Sequence, residues 1–173
     1  MFTRTVMSIG IIFVLVAGCA TPPKTYEFDP VIVIDSDFDS VWSAVVEYFA
    51  IGSLPIDIIE KDSGIIVSSW MNASGSNIGK EDKTYCDCGG SGLGIIHWSR
   101  GKFNVFVKPV ADGGTELRVT CNYQQRRELM DVYKTVNCAS TGYLEHQLHE
   151  YVSAKVQGVT PPGLPSFTPG EQE

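Results

Sequence analysis

Apolar residues recur at spacings of three and four in two stretches of this chain, a pattern that predicts two amphipathic helices. The first is expected over residues 39–50, after capping side chains at 35–39 and before Gly52, and the second over residues 143–157. Each helix is only marginally stable in water without a surface to cover, so its apolar stripe should be buried. The stripes are Val41, Trp42, Val45, Val46 and Phe49 in the first helix and Leu144, Leu148, Tyr151, Val152 and Val156 in the second. Burial is predicted by name for Val41, Trp42, Val45, Phe49, Leu144, Leu148 and Val152.

Runs of β-branched and alternating residues predict strands in the remainder of the chain. Turn residues at 62–64 and 112–114 each predict a reversal between neighbouring strands. After the second turn, Leu117, Val119, Cys121 and Tyr123 should share one buried face. The expected strands cover residues 31–34, 55–61, 65–71, 83–88, 95–110 (as one or two strands) and 115–125, while residues 124–136 show a mixed pattern.

The order of these elements is strand, helix, several antiparallel strands, helix, which places the chain in the α+β class. Both helices and one sheet face need apolar cover. The expected architecture is therefore a two-layer helix-grip-like sandwich, in which a curved antiparallel sheet carries the two helices on one face.

The N-terminus has the pattern of a bacterial lipoprotein precursor. Arg4 precedes an apolar run at residues 9–16, which is shorter than the roughly 20 residues that a membrane span needs. Residues 16–19 read Val-Ala-Gly-Cys and match the lipobox, so residues 1–18 are predicted to be a signal peptide that is cleaved before a lipidated Cys19. An ordinary secretory signal or an uncleaved anchor is the alternative. Several acyl chains would hold the protein firmly at a membrane, since one chain alone binds only marginally.

The rest of the chain divides into a tether, one domain and a tail. Residues 19–29 contain two adjacent prolines and predict a short tether, residues 30–157 form the domain, and the proline-rich residues 158–173 predict a disordered tail. The net charge of −7, which becomes more negative when Arg4 is removed with the signal peptide, argues against nucleic acid and against adhesion through a basic patch. Membrane attachment is therefore expected through the lipid.

Four cysteines remain after Cys19, and an even number in an exported chain predicts two disulfides. A bridge between Cys86 and Cys88 is the least expected, because residues i and i+2 of a strand lie about 6.6 Å apart, at the upper edge of disulfide geometry. Cys86 and Cys88 should therefore pair separately with Cys121 and Cys138, in an order that stays open. Metal binding by these thiolates is the less favoured alternative.

No motif predicts catalysis or a cofactor. The glycine-rich residues 89–94 precede a strand and lack the Lys-Ser/Thr of a phosphate loop, so they predict a flexible connection. His146 and His149 do not have His-Glu-x-x-His spacing, which favours a solvated helix face over a metal site. The Gly-x-Ser-x-Gly frame of a nucleophile elbow is also missing. We therefore expect a protein that is not an enzyme and needs no cofactor and no metal.

Several of these features together resemble one known family. They are the lipobox, Asp39-Ser-Val-Trp42, Ser63-Gly-Ile-Ile-Val67, Asp112-Gly-Gly-Thr-Glu-Leu117 and the closing helix. Residues 30–157 resemble the helix-grip lipoproteins of the Gram-negative outer membrane, the family that includes the C subunit of the β-barrel assembly machinery. That subunit has two such domains and a long segment after the lipid, whereas this chain has one domain and a short tether.

The resemblance implies an anchored position and a partner. It implies attachment to the outer membrane with the domain facing the periplasm. Sorting to that membrane is expected because Ala20, and not an aspartate, follows Cys19. The resemblance also implies an accessory role in an envelope protein complex.

Two functions remain open from the sequence. The first is non-enzymatic binding of an envelope protein through the sheet edge or the surface of the first helix. The second is binding of a small apolar ligand in a cavity between the sheet and the C-terminal helix. A packed interior with an exposed apolar patch would favour the first, and a well-formed cavity would favour the second. The candidate cavity residues are Trp42, Trp70, Trp98, Phe103 and Phe106.

Overall fold

The computed structural model describes residues 21–72 and 85–164. The predicted signal peptide, Cys19, the first two residues of the strand predicted at 83–88 and the last nine residues of the predicted tail lie outside this part of the chain. Both predicted helices are present, as α1 (Phe38–Ile51) and α2 (Tyr143–Val156). The carboxylate of Asp37 caps α1 by accepting from the Ser40 N–H at 2.9 Å, and Gly52 ends the helix as expected.

Within the described residues, eight strands form one antiparallel sheet, whose main path has the order β2-β3-β6-β7-β8-β5. In addition, β1 pairs with the beginning of β7, and β4 pairs with β6 beside β3. Their bounds are β1 (Val31–Ile34), β2 (Ile56–Glu60), β3 (Ile65–Ser68), β4 (Met71–Asn72), β5 (Cys86–Asp87), β6 (Ile95–Pro109), β7 (Thr115–Leu129) and β8 (Val132–Ser140).

The stretch with a mixed sequence pattern, residues 124–136, is regular in the structure. β7 continues to Leu129, turns at Met130 and Asp131, and returns as β8. The apolar alternation is interrupted because Gln125 occupies a fully buried position, where its Nε2 donates to the Ser99 hydroxyl at 3.1 Å. A buried polar pair thus replaces the apolar residue that the pattern requires.

Both helices pack on one face of the sheet, which confirms the predicted α+β two-layer sandwich. All seven residues named in the burial prediction are buried, and Trp42 is the most exposed of them at 6%. Of the other stripe residues, Tyr151 is buried and Val46 and Val156 are half-buried. Tyr48 of α1 stands edge-on against Tyr151 of α2 and Phe103 of β6, with ring centroids 5.2 and 6.4 Å away. The predicted inward side chains of β7 are buried, while the residues between them face solvent or are half-buried.

The predicted tether is attached to the domain along its described part, residues 21–29. The buried carboxylate of Asp87 accepts from the Lys24 N–H at 3.4 Å and from the Tyr26 hydroxyl at 3.3 Å. Phe28 lies against Gly142, at the start of α2. The segment therefore follows the domain surface along residues 21–29 and is not a free spacer there.

The described part of the predicted tail, residues 158–164, forms no helix or strand. It is nevertheless in contact with the domain, because Leu164 packs against the hydrophobic core.

Candidate functional site

Cys19 lies outside the described residues, but the position where the chain reaches the domain is defined. The Thr21 carbonyl and hydroxyl oxygens each accept from the Gly90 N–H at 2.9 Å. The loop around Gly90 is fixed in turn by Arg127, whose guanidinium donates to the carbonyl oxygens of Cys88, Gly89 and Gly90. The glycine-rich residues 89–94 therefore form the docking point of the N-terminal segment, a role that the sequence did not indicate.

One of the two expected disulfides is present, between Cys88 and Cys138. The second is not formed. Cys86 and Cys121 are free thiols, and both are buried. β8 lies between β5, which carries Cys86, and β7, which carries Cys121. Two strand spacings amount to about 9.6 Å, which exceeds disulfide reach. Cys88 escapes this limit because it follows the end of β5 and reaches Cys138 on the adjacent strand.

Three sulfur atoms are gathered in this region. The Sγ atoms of Cys86, Cys88 and Cys138 lie within 4.8 Å of one another, and Cys86 Sγ is 3.8 Å from Cys88 Sγ. In the oxidised state two of them are joined, so only the Cys86 thiol is left as a ligand or nucleophile. Burial, followed by the charge of Asp87, raises the pKa of that thiol to about 12. Cys86 is therefore protonated at neutral pH and a poor nucleophile, since thiolates and not thiols attack disulfides.

A buried carboxylate, Glu145, joins α2 to the sheet beside these cysteines. Its Oε1 accepts from the Cys121 N–H and its Oε2 accepts from the Ser140 hydroxyl, each at 3.0 Å. It thus occupies the place where β8 leaves β7 to pair with β5. Burial raises the pKa of Glu145, and the hydrogen bonds that it accepts oppose the shift. Burial, and then the neighbouring Glu145, likewise raises the pKa of the Cys121 thiol.

The two helix histidines have different environments, which corrects the expectation that both lie on a solvated face. His146 is exposed and lies 3.2 Å from the carboxylate of Glu150 on the same helix. His149 is buried under the N-terminal segment, and burial, followed by the nearby His146, lowers its pKa. The sequence spacing could not reveal this difference, because the covering segment comes from the other end of the chain.

The five aromatic residues proposed to line a ligand cavity do not gather around one. Phe103 is part of the packed core, whereas Phe106 is 44% exposed on the opposite face of the sheet. On that outer face the Arg100 guanidinium lies over Trp70 and Trp98, 4.4 and 4.7 Å from the ring centroids. The expected cavity between the sheet and α2 is therefore occupied by side chains.

An open groove of about 820 Å³ lies elsewhere, between α2 and the N-terminal segment. Its apolar lining comes chiefly from Tyr26, Phe28, Ile32 and Tyr143.

The sheet edge formed by β2 combines exposed backbone with exposed apolar side chains. Among the described residues β2 pairs with β3 alone, and all five of its residues are exposed. Three of them are the isoleucines Ile56, Ile58 and Ile59. Natural sheet edges usually carry lysine, proline or a strong distortion that prevents pairing with another chain. Here the protection is a bulge between Ile56 and Ile58 and two acidic residues, Asp57 and Glu60.

Neither helix of the described chain is long and apolar enough to cross a membrane. Comparison with models of known protein families finds none that matches, and no curated protein matches the chain significantly.

Proposed function

We propose that this protein is a lipid-anchored envelope lipoprotein of the outer membrane that binds another envelope protein and catalyses no reaction. The observation that carries the proposal is the β2 edge, which pairs with β3 alone in the described part of the chain and where an extended segment of a partner can add a strand to the sheet. In such binding, main-chain hydrogen bonds supply affinity and side-chain pockets supply specificity. A partner strand suited to this edge has apolar residues for the isoleucines and lysine or arginine opposite Asp57 and Glu60.

Two further observations support an exported, anchored location. The lipobox ends at Cys19. A disulfide between Cys88 and Cys138 is typical of proteins in oxidising compartments, because cytosolic reductants keep thiols reduced. The resemblance to helix-grip lipoproteins agrees with both.

The anchor is tested by metabolic labelling with a palmitate analogue. We expect the native chain to be labelled and Cys19→Ser to be unlabelled and retained at precursor size, because acylation needs this thiol. Cys86→Ala is the matched control that removes a cysteine of the mature domain and should keep the label. Label remaining on Cys19→Ser would refute the lipoprotein assignment.

The partner surface is tested with a photoreactive amino acid placed at Ile58 in cells. We expect a cross-linked protein from this position and none from Ile51, an exposed residue at the end of α1, because strand addition brings a partner to the β2 edge only. Ile59→Lys should abolish the cross-link from Ile58, since it replaces an apolar contact by a charge of the same sign as the lysine or arginine expected on the partner strand. A cross-link from Ile51 but not from Ile58 would instead favour the surface of α1.

The second candidate function, binding of a small apolar ligand, has its site in the groove between α2 and the N-terminal segment. Its aromatic lining and its volume of about 820 Å³ suit such a ligand. The groove is not the predicted cavity between the sheet and the helix. If no protein is cross-linked from Ile58 and the purified protein binds a small apolar ligand in this groove, the second function is favoured.

A further inference from the structure

The far end of the long strands carries a group of exposed apolar side chains. Met130 is 86% exposed, Leu93 is 76% exposed, and three neighbours are also at least half exposed. We define the apolar tip as these five residues, Leu93, Ile95, Leu129, Met130 and Val132. Strand pairing brings them together, because Ile95 lies opposite Glu128 and Leu129 lies opposite Val132. Exposed apolar clusters of this kind mark interaction sites more often than chance exposure does.

The residues in the turn at the tip do not favour its backbone conformation. Met130 and Asp131 both have left-handed backbone conformations, with φ of 50° and 61°. A two-residue hairpin turn of this type favours Asn-Gly, because residues with bulky side chains adopt positive φ at a cost. Methionine at the first position therefore gives the fold a strained turn and an almost fully exposed apolar side chain. A surface outside the domain that covered Met130 would bury this side chain.

The first described residue of the N-terminal segment, Thr21, lies at the same end of the domain. Thr21 is bound to Gly90, Gly90 is bound by Arg127, and Arg127 lies three residues before Met130. Cys19 precedes Thr21 by two positions in the sequence, and two residues of extended chain span at most about 7 Å. A lipid on Cys19 therefore brings the bilayer to the tip, because the segment after it is attached to the domain and cannot act as a long spacer.

The residues behind the tip include an aromatic ring and basic side chains, which suit a membrane interface, while the turn itself also carries the exposed carboxylate of Asp131. Tyr133 is next along β8, and the Arg126 guanidinium lies 4.8 Å from the centre of its ring. Lys134 is exposed and follows directly. Aromatic residues favour the level of the headgroups, and basic side chains reach the phosphates while apolar neighbours enter the acyl region.

We propose that the apolar tip inserts into the leaflet that holds the lipid of Cys19, so that the protein stands on the membrane at a fixed orientation. The inference rests on the proposed lipid anchor. In this orientation the β2 edge lies far from the bilayer, because β3, its neighbour, pairs with β6 at Phe106, roughly 35 Å along the strand from Ile95. The tip thus directs the partner-binding edge toward the periplasmic space.

The experiment uses the full lipidated protein reconstituted in vesicles that contain phospholipids brominated in the upper acyl chain. Met130→Trp places a fluorescent reporter at the tip, and Asp112→Trp places one in the exposed turn at the opposite end of β6 and β7. The unsubstituted protein supplies the background of its native tryptophans. We expect the emission of the reporter at position 130 to shift to shorter wavelength and to lose most of its intensity on bromination. The emission of the reporter at position 112 should be unchanged.

Three results would overturn the proposal. Equal quenching at both positions would mean that the tip is not the inserted surface, and no quenching at either would mean that the domain stands clear of the bilayer. A blue shift at position 130 without quenching would mean that a second copy or another protein covers the tip. Failure of the anchor is recognised separately, because palmitate labelling of Cys19 does not depend on the tip.

Discussion

Replacing Cys138 by alanine in a Cys86→Ala background should lower the free energy of unfolding by about 4 kcal/mol, because the bridge from Cys88 closes a loop of 50 residues. This is a large share of the roughly 5–15 kcal/mol that stabilises a typical domain. The background substitution is needed because Cys86 Sγ lies 3.8 Å from Cys88 Sγ, so a new bridge between these two could replace the lost one. Urea unfolding of the two variants, compared without and with a dithiol reductant, measures the difference.

Peptide mapping of the native protein identifies the bridge directly. Non-reducing peptide mapping of the native protein should recover the Cys88–Cys138 cross-link, with Cys86 and Cys121 alkylated only after unfolding, because both are buried and their pKa values are raised. Reductant should lower the unfolding midpoint of the Cys86→Ala protein and leave that of the double variant unchanged. Coincident midpoints for the two variants under oxidising conditions would show that the bridge does not stabilise the fold.

Replacing Glu145 by alanine should cost about 2–4 kcal/mol, because it leaves the Cys121 N–H without an acceptor and removes a partner of the Ser140 hydroxyl in a buried place. Glu145→Gln is the matched control. Its amide oxygen can accept from Cys121 and its amide nitrogen can donate to Ser140, so it should remain close to the native stability at acid pH. Thermal or urea unfolding of the three proteins gives the comparison.

The pH dependence of the Glu145 variants separates burial of the charge from loss of the hydrogen bonds. Burial raises the folded pKa of Glu145 above its ordinary value of 4.5, so its stabilising contribution is full below that value and is lost as the pH rises through the raised folded pKa. Glu145→Gln cannot ionise, and its stability relative to the native protein should therefore increase over that range. A constant difference between the two at every pH would mean that Glu145 does not change protonation on unfolding.

The sequence by itself determined the two layers of this protein. Helix stripes with three- and four-residue spacing and a strand with alternating side chains each have one apolar face to bury. The buried apolar stripes of α1 and α2 and the inward side chains in the first part of β7 therefore followed from periodicity. The disulfide was determined in part. Cysteine number and spacing correctly discouraged a bridge between Cys86 and Cys88 but left the pairing open.

Only the tertiary structure decided the features that depend on contacts between distant segments. The apolar pattern did not predict the hairpin of β7 and β8, because the buried Gln125 interrupts the alternation. Its side chain is tolerated there because it donates a hydrogen bond to Ser99 on another strand. The separation of Cys86 from Cys121 follows from the insertion of β8 between β5 and β7, and the burial of His149 follows from a segment more than a hundred residues earlier in the chain. The open β2 edge and the apolar tip are likewise products of strand order. Local sequence specifies which face of an element is apolar, but the position of that element in the sheet decides whether the face is covered.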